Sequence, residues 1–217
     1  MRPLRDPRTI VALIVLGITI ILSTWQAQPP YFFTDWVLYV FIIYLGLYLT
    51  EILNKCSQDI PSSYTLIVDS TIFTLCLSIL VGFITILITD FAIGSIQVNS
   101  IGVHFGYQPL PSWVILMFLI FTHCLPISTL IYLNGIPQKY PSATFILCLG
   151  GFYVFMLSLA KNYGPATQYL LPEEIWVYVI LGSVFIVCII GVYLIVYRRT
   201  RLTINDGQTV ESYHSLV

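Results

Sequence analysis

The sequence predicts an all-α membrane protein: a single bundle of six transmembrane helices with both termini in the cytosol. Of its 217 residues, 58% are hydrophobic and 9% are charged, whereas soluble domains carry about 25% charged residues. Six apolar runs approach the roughly 20 residues that a helix needs to cross a bilayer. The basic residues are concentrated in alternate segments between these runs. One membrane-embedded domain covering residues 1–217 is therefore the expected organisation.

The first three runs predict helices at about 9–25, 32–53 and 68–93. The first run follows a short basic segment, 1–8, as a secretory signal would. It is long for such a signal and has no evident small-residue cleavage site, so we interpret it as a transmembrane helix. Helix 2 follows a break that contains two prolines, 26–30. The third run is longer than a bilayer requires, which indicates a tilted helix or protruding ends.

Two acidic residues mark the ends of the third helix. Asp69 and Asp90 lie near its opposite ends, where an interfacial position and a functional role are both open interpretations. The segment 94–110 is uncharged apart from His104 and contains three glycines. We expect a loop there, one that dips into the membrane or packs on the bundle.

The second half of the chain predicts three more helices and a tail. Helix 4 is expected at about 112–134, helix 5 at 143–160 and helix 6 at 175–197, with a cytosolic tail at 198–217.

The distribution of basic residues predicts the topology. With the N-terminus inside, the inner segments hold all but one of the 9 Lys and Arg residues, as cytoplasmic segments usually do. The inner residues are Arg2, Arg5, Arg8, Lys55, Lys139, Arg198, Arg199 and Arg201. The outer segments hold Lys161.

Composition also excludes several classes of function. A net charge of −1 argues against nucleic acid as a partner. The five cysteines form no C-x-x-C pair and the three histidines are scattered, so no metal or organic cofactor is predicted. The common hydrolase, metalloprotease and phosphate-loop motifs are absent from the sequence.

Helix 4 carries the first candidate for chemistry. His123 stands in the middle of this apolar run and is followed by Pro126. Proline removes a backbone donor and presses on the carbonyl of Thr122. An ionisable ring at membrane depth is a functional hypothesis by default, although a histidine packed beside a helix kink fits the same pattern.

Thr34 is the second candidate, at the start of helix 2. Its position suits a helix N-cap, in which the hydroxyl accepts bonds from backbone donors. It also suits a nucleophile, which must instead reach a base. The sequence leaves both interpretations open.

Three motifs resemble those of the androgen-induced hydrolase family. Thr34 stands twelve residues before Gly46, as in the threonine helix of that family. The motif Pro111-x-Trp113 precedes His123, as a P-x-W motif precedes a histidine in the family, although the spacing here is a few residues longer. The turn Tyr140-Pro141-Ser142 opens helix 5, as in the family. The resemblance covers about half of the chain, 32–160.

The resemblance implies a function and a site. Family members are multipass threonine hydrolases that cleave fatty-acid esters of hydroxy fatty acids. Carried over to this chain, Thr34 is the nucleophile and His123 is the general base. His104 is the fallback base, and Asp35 and Asp90 could orient it. The expected partners are membrane lipids and an acyl-ester substrate. The expected location is the endoplasmic reticulum, with the plasma membrane as the alternative.

One geometric requirement accompanies this hypothesis. Thr34 is expected near the outer end of helix 2, whereas His123 is about 15 Å further along helix 4. The pair meets if helix 2 starts deeper, if helix 4 begins further out or if Pro126 tilts helix 4. If none of these holds, His104 is the fallback base. The rival interpretation is a non-enzymatic membrane protein: a small transporter subunit, a scaffold or a lipid-binding protein.

Overall fold

The computed structural model describes residues 6–25, 33–54, 63–93, 112–163 and 175–214. Six α-helices and no strands occupy these ranges, which confirms the all-α class. The helices are α1 Pro7–Trp25, α2 Phe33–Asn54, α3 Ser63–Ile93, α4 Ser112–Asn134, α5 Ala143–Tyr163 and α6 Ile175–His214.

Two helices are longer than their hydropathy predicts. Helix α3 begins at Ser63, before the predicted start at 68, and α6 continues to His214 through the segment expected as a tail. Apolar content marks where a helix could enter a membrane, but a helix ends only where its backbone bonding stops. The segment 198–214 contains no proline, so its polarity did not require α6 to end there.

Helix α3 is central to the described bundle and packs against α2, α4, α5 and α6. Its buried face carries small hydroxyl residues: Ser70, Thr71, Thr74 and Ser78. Each of these hydroxyls donates to the carbonyl four residues earlier at 2.7–2.8 Å. Small residues that satisfy their own polar groups let neighbouring helices approach closely.

The turn between α4 and α5 lies beside the basic part of α6. Gly135 ends α4 with φ 73° and donates its N–H to the carbonyl of Ile131, the left-handed cap that glycine adopts without strain. Arg199 donates to the carbonyl of Ile136 at 3.1 Å, and the Tyr193 hydroxyl donates to that of Pro141 at 3.0 Å. We call this side of the bundle the basic end.

Within the described residues, three helical stretches are long and apolar enough to cross a membrane: Thr34–Ile52, Thr65–Thr85 and Gly182–Leu202. Large apolar side chains also face outward, such as Ile43, Ile88 and Val187, each more than 60% exposed. Exposed apolar surface on this scale is typical of a protein that contacts lipid. Length, composition and surface therefore indicate association with a membrane.

Candidate active site

Thr34 lies in the first turn of α2, which begins one residue earlier at Phe33. Its side chain is half-buried, and the next residue, Asp35, is buried. Because α2 already begins at Phe33, Thr34 lies inside the helix, and its hydroxyl lies against another helix.

His123 lies about halfway along α4 and is only 7% exposed. Helix α4 continues through Pro126, three residues later. Proline lacks the N–H that would bond the carbonyl of Thr122, so the turn that carries the imidazole lacks one helical backbone hydrogen bond.

Thr34 and His123 are in contact although 89 positions separate them in the sequence. The distance from Oγ1 of Thr34 to Nε2 of His123 is 3.1 Å, within the range of a hydrogen bond. Because imidazole Nε2 is either a donor or an acceptor, the direction of this bond depends on the tautomer.

The pair meets because the ends of α2 and α4 are not level. The first turn of α2 lies beside the middle of α4, so the helices are offset by about 15 Å along their axes. A second contact, between Tyr44 of α2 and Asn134 of α4, has nearly the same sequence separation, 90 positions. Equal separations at two points mean that α2 and α4 run side by side in the same direction.

Two further residues fix the imidazole. Oγ1 of Thr122 lies 3.2 Å from Nδ1 of His123. The ring of Phe83, on α3, stacks on the imidazole with centroids 4.3 Å apart and an interplanar angle of 17°. One ring nitrogen thus faces Thr34, the other faces Thr122, and one ring face is covered.

Sequence reasoning did not identify Thr122 or Phe83 as site residues. Adjacent positions on a helix point about 100° apart, so a contact between Thr122 and His123 is not expected from spacing alone. Phe83 is one aromatic residue within a long apolar run, and nothing in its neighbourhood distinguishes it. Only the packing of α3 against α4 reveals its position.

The other predicted site residues are Asp35, Asp90 and His104. Asp35 is buried next to Thr34. Asp90 belongs to the last turns of α3, but its side chain lies outside the described part. His104 lies wholly outside the described residues. Among the described side chains, no three His, Cys, Asp or Glu residues are grouped as a metal site would require.

The arrangement matches a requirement of nucleophilic catalysis: a hydroxyl within reach of a base whose other nitrogen is held by a third group. No family model, curated protein or solved structure matches the chain in comparisons of its sequence and fold. The geometry and chemistry of these four side chains therefore carry the functional argument.

Proposed function

We propose that the chain is an intramembrane hydrolase of lipid esters, in which Thr34 is the nucleophile and His123 is the general base. The observation that carries this proposal is the 3.1 Å distance between Oγ1 and Nε2. The resemblance to the androgen-induced hydrolase family supports it, and suggests fatty-acid esters of hydroxy fatty acids as substrates.

The first step requires one tautomer of His123. When Nδ1 carries the proton and donates to Oγ1 of Thr122, Nε2 has a lone pair that accepts the proton of Thr34. Oγ1 of Thr34 then attacks the ester carbonyl carbon while its proton passes to Nε2. The tetrahedral intermediate collapses, the bond to the hydroxy fatty acid breaks, and Nε2–H protonates the departing alkoxide.

The second step restores the enzyme. A water molecule gives a proton to Nε2 and attacks the carbonyl carbon of the acyl-threonine. The bond from that carbon to Oγ1 breaks, the fatty acid leaves, and Oγ1 of Thr34 regains the proton from Nε2. Thr34 lies in the first turn of α2, where the positive end of the helix dipole would stabilise negative charge that develops beside its hydroxyl.

The surroundings suit a substrate with long acyl chains. Ile120 and Phe121 precede Thr122 and His123 on α4 and are 38% and 47% exposed. On α3, Ile84 follows Phe83 and is 44% exposed. An ester carried in the bilayer can therefore approach along apolar surface that flanks Thr34 and His123, which we call the reactive pair.

The wider setting is also part of the proposal. Six spans with cytosolic termini account for the concentration of basic residues, and for the contact of the α4–α5 turn with the arginine-bearing part of α6. The endoplasmic reticulum is the proposed compartment, with the plasma membrane as the alternative.

Substituting each member of the pair tests the proposal. In membranes, Thr34→Ala and His123→Ala should each abolish hydrolysis of a branched fatty-acid ester, and Thr34→Ala should abolish labelling by a fluorophosphonate probe. Thr50→Ala is the matched control, because Thr50 is an exposed residue of the same helix whose hydroxyl donates to the carbonyl of Gly46.

Wild-type turnover by either variant, at equal expression, would remove that residue from the mechanism. If the unmodified protein neither hydrolyses the ester nor reacts with the probe, the chain is a non-enzymatic multipass protein. The Thr34–His123 bond would then serve helix packing in a transporter subunit, a scaffold or a lipid-binding protein.

A further inference from the structure

A second polar cluster joins three helices toward the basic end. The hydroxyl of Tyr44, on α2, donates to Oδ1 of Asp69, on α3, at 2.8 Å. The side-chain amide of Asn134, on α4, donates to the oxygen of the same hydroxyl. Tyr44 is 5% exposed, so its hydroxyl bridges α3 and α4 from inside the bundle.

The sequence interval between the reactive pair and this cluster is nearly the same on α2 and on α4. Tyr44 is 10 positions after Thr34, and Asn134 is 11 positions after His123. At 1.5 Å per residue, each interval is about 15 Å. The two contacts thus connect α2 and α4 at two levels. The upper level is the contact of Thr34 with His123, and the lower level is the contact of Tyr44 with Asn134, near the basic end.

Apolar packing alone does not set this register strongly. In a membrane, aliphatic side chains pack almost as well against lipid as against each other, so directional bonds and close packing determine how helices align. Axial displacement by one residue moves a side chain by about 1.5 Å. A displacement of that size would take Oγ1 of Thr34 out of hydrogen-bonding range of Nε2.

Pro126 makes the contact of Asn134 with Tyr44 more important for the alignment of α4. It stands between His123 and Asn134 on α4, where its ring favours a bend and removes a backbone bond. A change in that bend would move His123 relative to the segment that follows. Holding Asn134 against Tyr44 limits the positions that the imidazole can take.

We propose that Tyr44, Asp69 and Asn134 are positioning residues, which we call the register cluster, and that they set the axial alignment of α2 on α4 that brings Thr34 to His123. Their effect on hydrolysis rests on the proposed function. Their effect on the alignment of the helices does not, and it can be measured separately.

The first test is kinetic. Tyr44→Phe keeps the ring, which packs near Phe41 and Tyr48, and removes only the bridging hydroxyl. Because a misplacement of 1 Å can cost about 100-fold in rate, we expect kcat to fall by about tenfold with KM nearly unchanged. Tyr48→Phe, a half-buried tyrosine one turn along the same helix, should leave both constants unchanged.

A conservative variant of Asp69 separates the effect of its hydrogen bond with Tyr44 from the effect of its charge. In Asp69→Asn the side-chain oxygen still accepts from Tyr44, so kcat should stay within about twofold of the wild type, whereas Asp69→Leu should behave like Tyr44→Phe. If Asp69→Asn loses as much activity as Asp69→Leu, the residue acts through its charge and the positioning role is wrong.

The second test needs no enzymatic activity. Thr34→Cys and His123→Cys are combined in a protein whose native cysteines are alanine, and the pair is joined by a short bifunctional thiol reagent. This removes the upper contact and leaves the register cluster to hold α2 on α4. Adding Tyr44→Phe should lower the cross-linking yield severalfold, and adding Tyr48→Phe should not.

Each result has a single consequence. An unchanged cross-linking yield in Tyr44→Phe overturns the inference, whether or not kcat falls. A reduced yield in a protein whose unmodified form hydrolyses no ester leaves the register cluster in place and rejects the proposed function. A reduced yield together with a reduced kcat supports both.

Discussion

Helices α2 and α4 touch through polar side chains at two levels, and the two contacts differ in their chemistry. At one level a hydroxyl meets an imidazole, Thr34 on His123 at 3.1 Å. At the other, a phenol bridges an amide and a carboxylate, Tyr44 between Asn134 and Asp69. Both join the same pair of helices, yet only the imidazole is proposed to act as a base.

The surroundings of the two levels differ as well. Exposed apolar residues such as Ile120 and Phe121 flank the reactive pair. Asp69 and Asn134 border a small open groove near the basic end. The proposed lipid ester would approach the first level along apolar surface, whereas the second lies toward the basic end. The comparison separates the proposed site for chemistry from a contact that we propose holds the helices in register.

The largest expected effect on kcat comes from replacing the imidazole of the upper level by an amide, the group that α4 presents at the lower level. His123→Asn replaces the imidazole by an amide that can still hydrogen-bond Thr34 but cannot take its proton. General base catalysis typically contributes 10²–10⁴-fold, so kcat for ester hydrolysis should fall by about 10³-fold or more. Initial rates on purified protein in lipid nanodiscs would measure this fall.

The control for this prediction replaces the amide of the lower level by an imidazole. Asn134→His introduces an imidazole beside Tyr44, where we assign no reacting group, and should create no new activity in a Thr34→Ala protein. If His123→Asn retains activity within about tenfold of the wild type, proton transfer to this ring does not explain the rate.

Hydropathy predicted much of this fold, and the resemblance named Thr34 and His123, which the structure places in contact. Neither could predict the axial offset, because an almost uniformly apolar helix such as α4 can slide without changing the hydropathy of its surface. Of the arrangements that would let Thr34 meet His123, the structure shows the first turn of α2 lying beside the middle of α4. The offset comes from particular contacts, such as Tyr44 with Asn134, that no periodicity reveals.

The same reason explains why the supporting residues were missed. Asp69 was open to interpretation as an interfacial residue because its sequence position gave only its place near a helix end. Its contact with Tyr44 depends on how α3 packs against α2. Phe83 likewise gains a role only because α3 runs beside α4. Side chains that act across helices become visible once the packing is known.

An intermediate effect is expected at Thr122, which holds the imidazole nitrogen remote from Thr34. Thr122→Val keeps the shape of the side chain and removes the hydroxyl, so Nδ1 loses its partner and the productive tautomer loses its support. Leaving a buried polar group unsatisfied costs about 1–3 kcal/mol, which corresponds to a fall in kcat of about 5- to 150-fold.

Thr122→Ser restores the hydroxyl and should recover most of that rate, and Thr129→Val is the matched control. Thr129 is a buried threonine of the same helix, and its hydroxyl donates to the carbonyl of Leu125. Equal losses in Thr122→Val and Thr122→Ser would show that the hydroxyl does not orient the ring.

The smallest effect should come from Phe83, which touches the imidazole only through its ring face. Phe83→Leu keeps an apolar side chain but loses the stacking, which is worth about 0.5–1.5 kcal/mol. We expect kcat to fall by about 2- to 12-fold, because the imidazole then samples orientations that face away from Thr34. Phe73→Leu, on the same helix and near the basic end, should leave kcat unchanged. If Phe73→Leu slows the enzyme as much as Phe83→Leu does, the loss reflects general loosening of α3, and the stacking has no special part in holding the base.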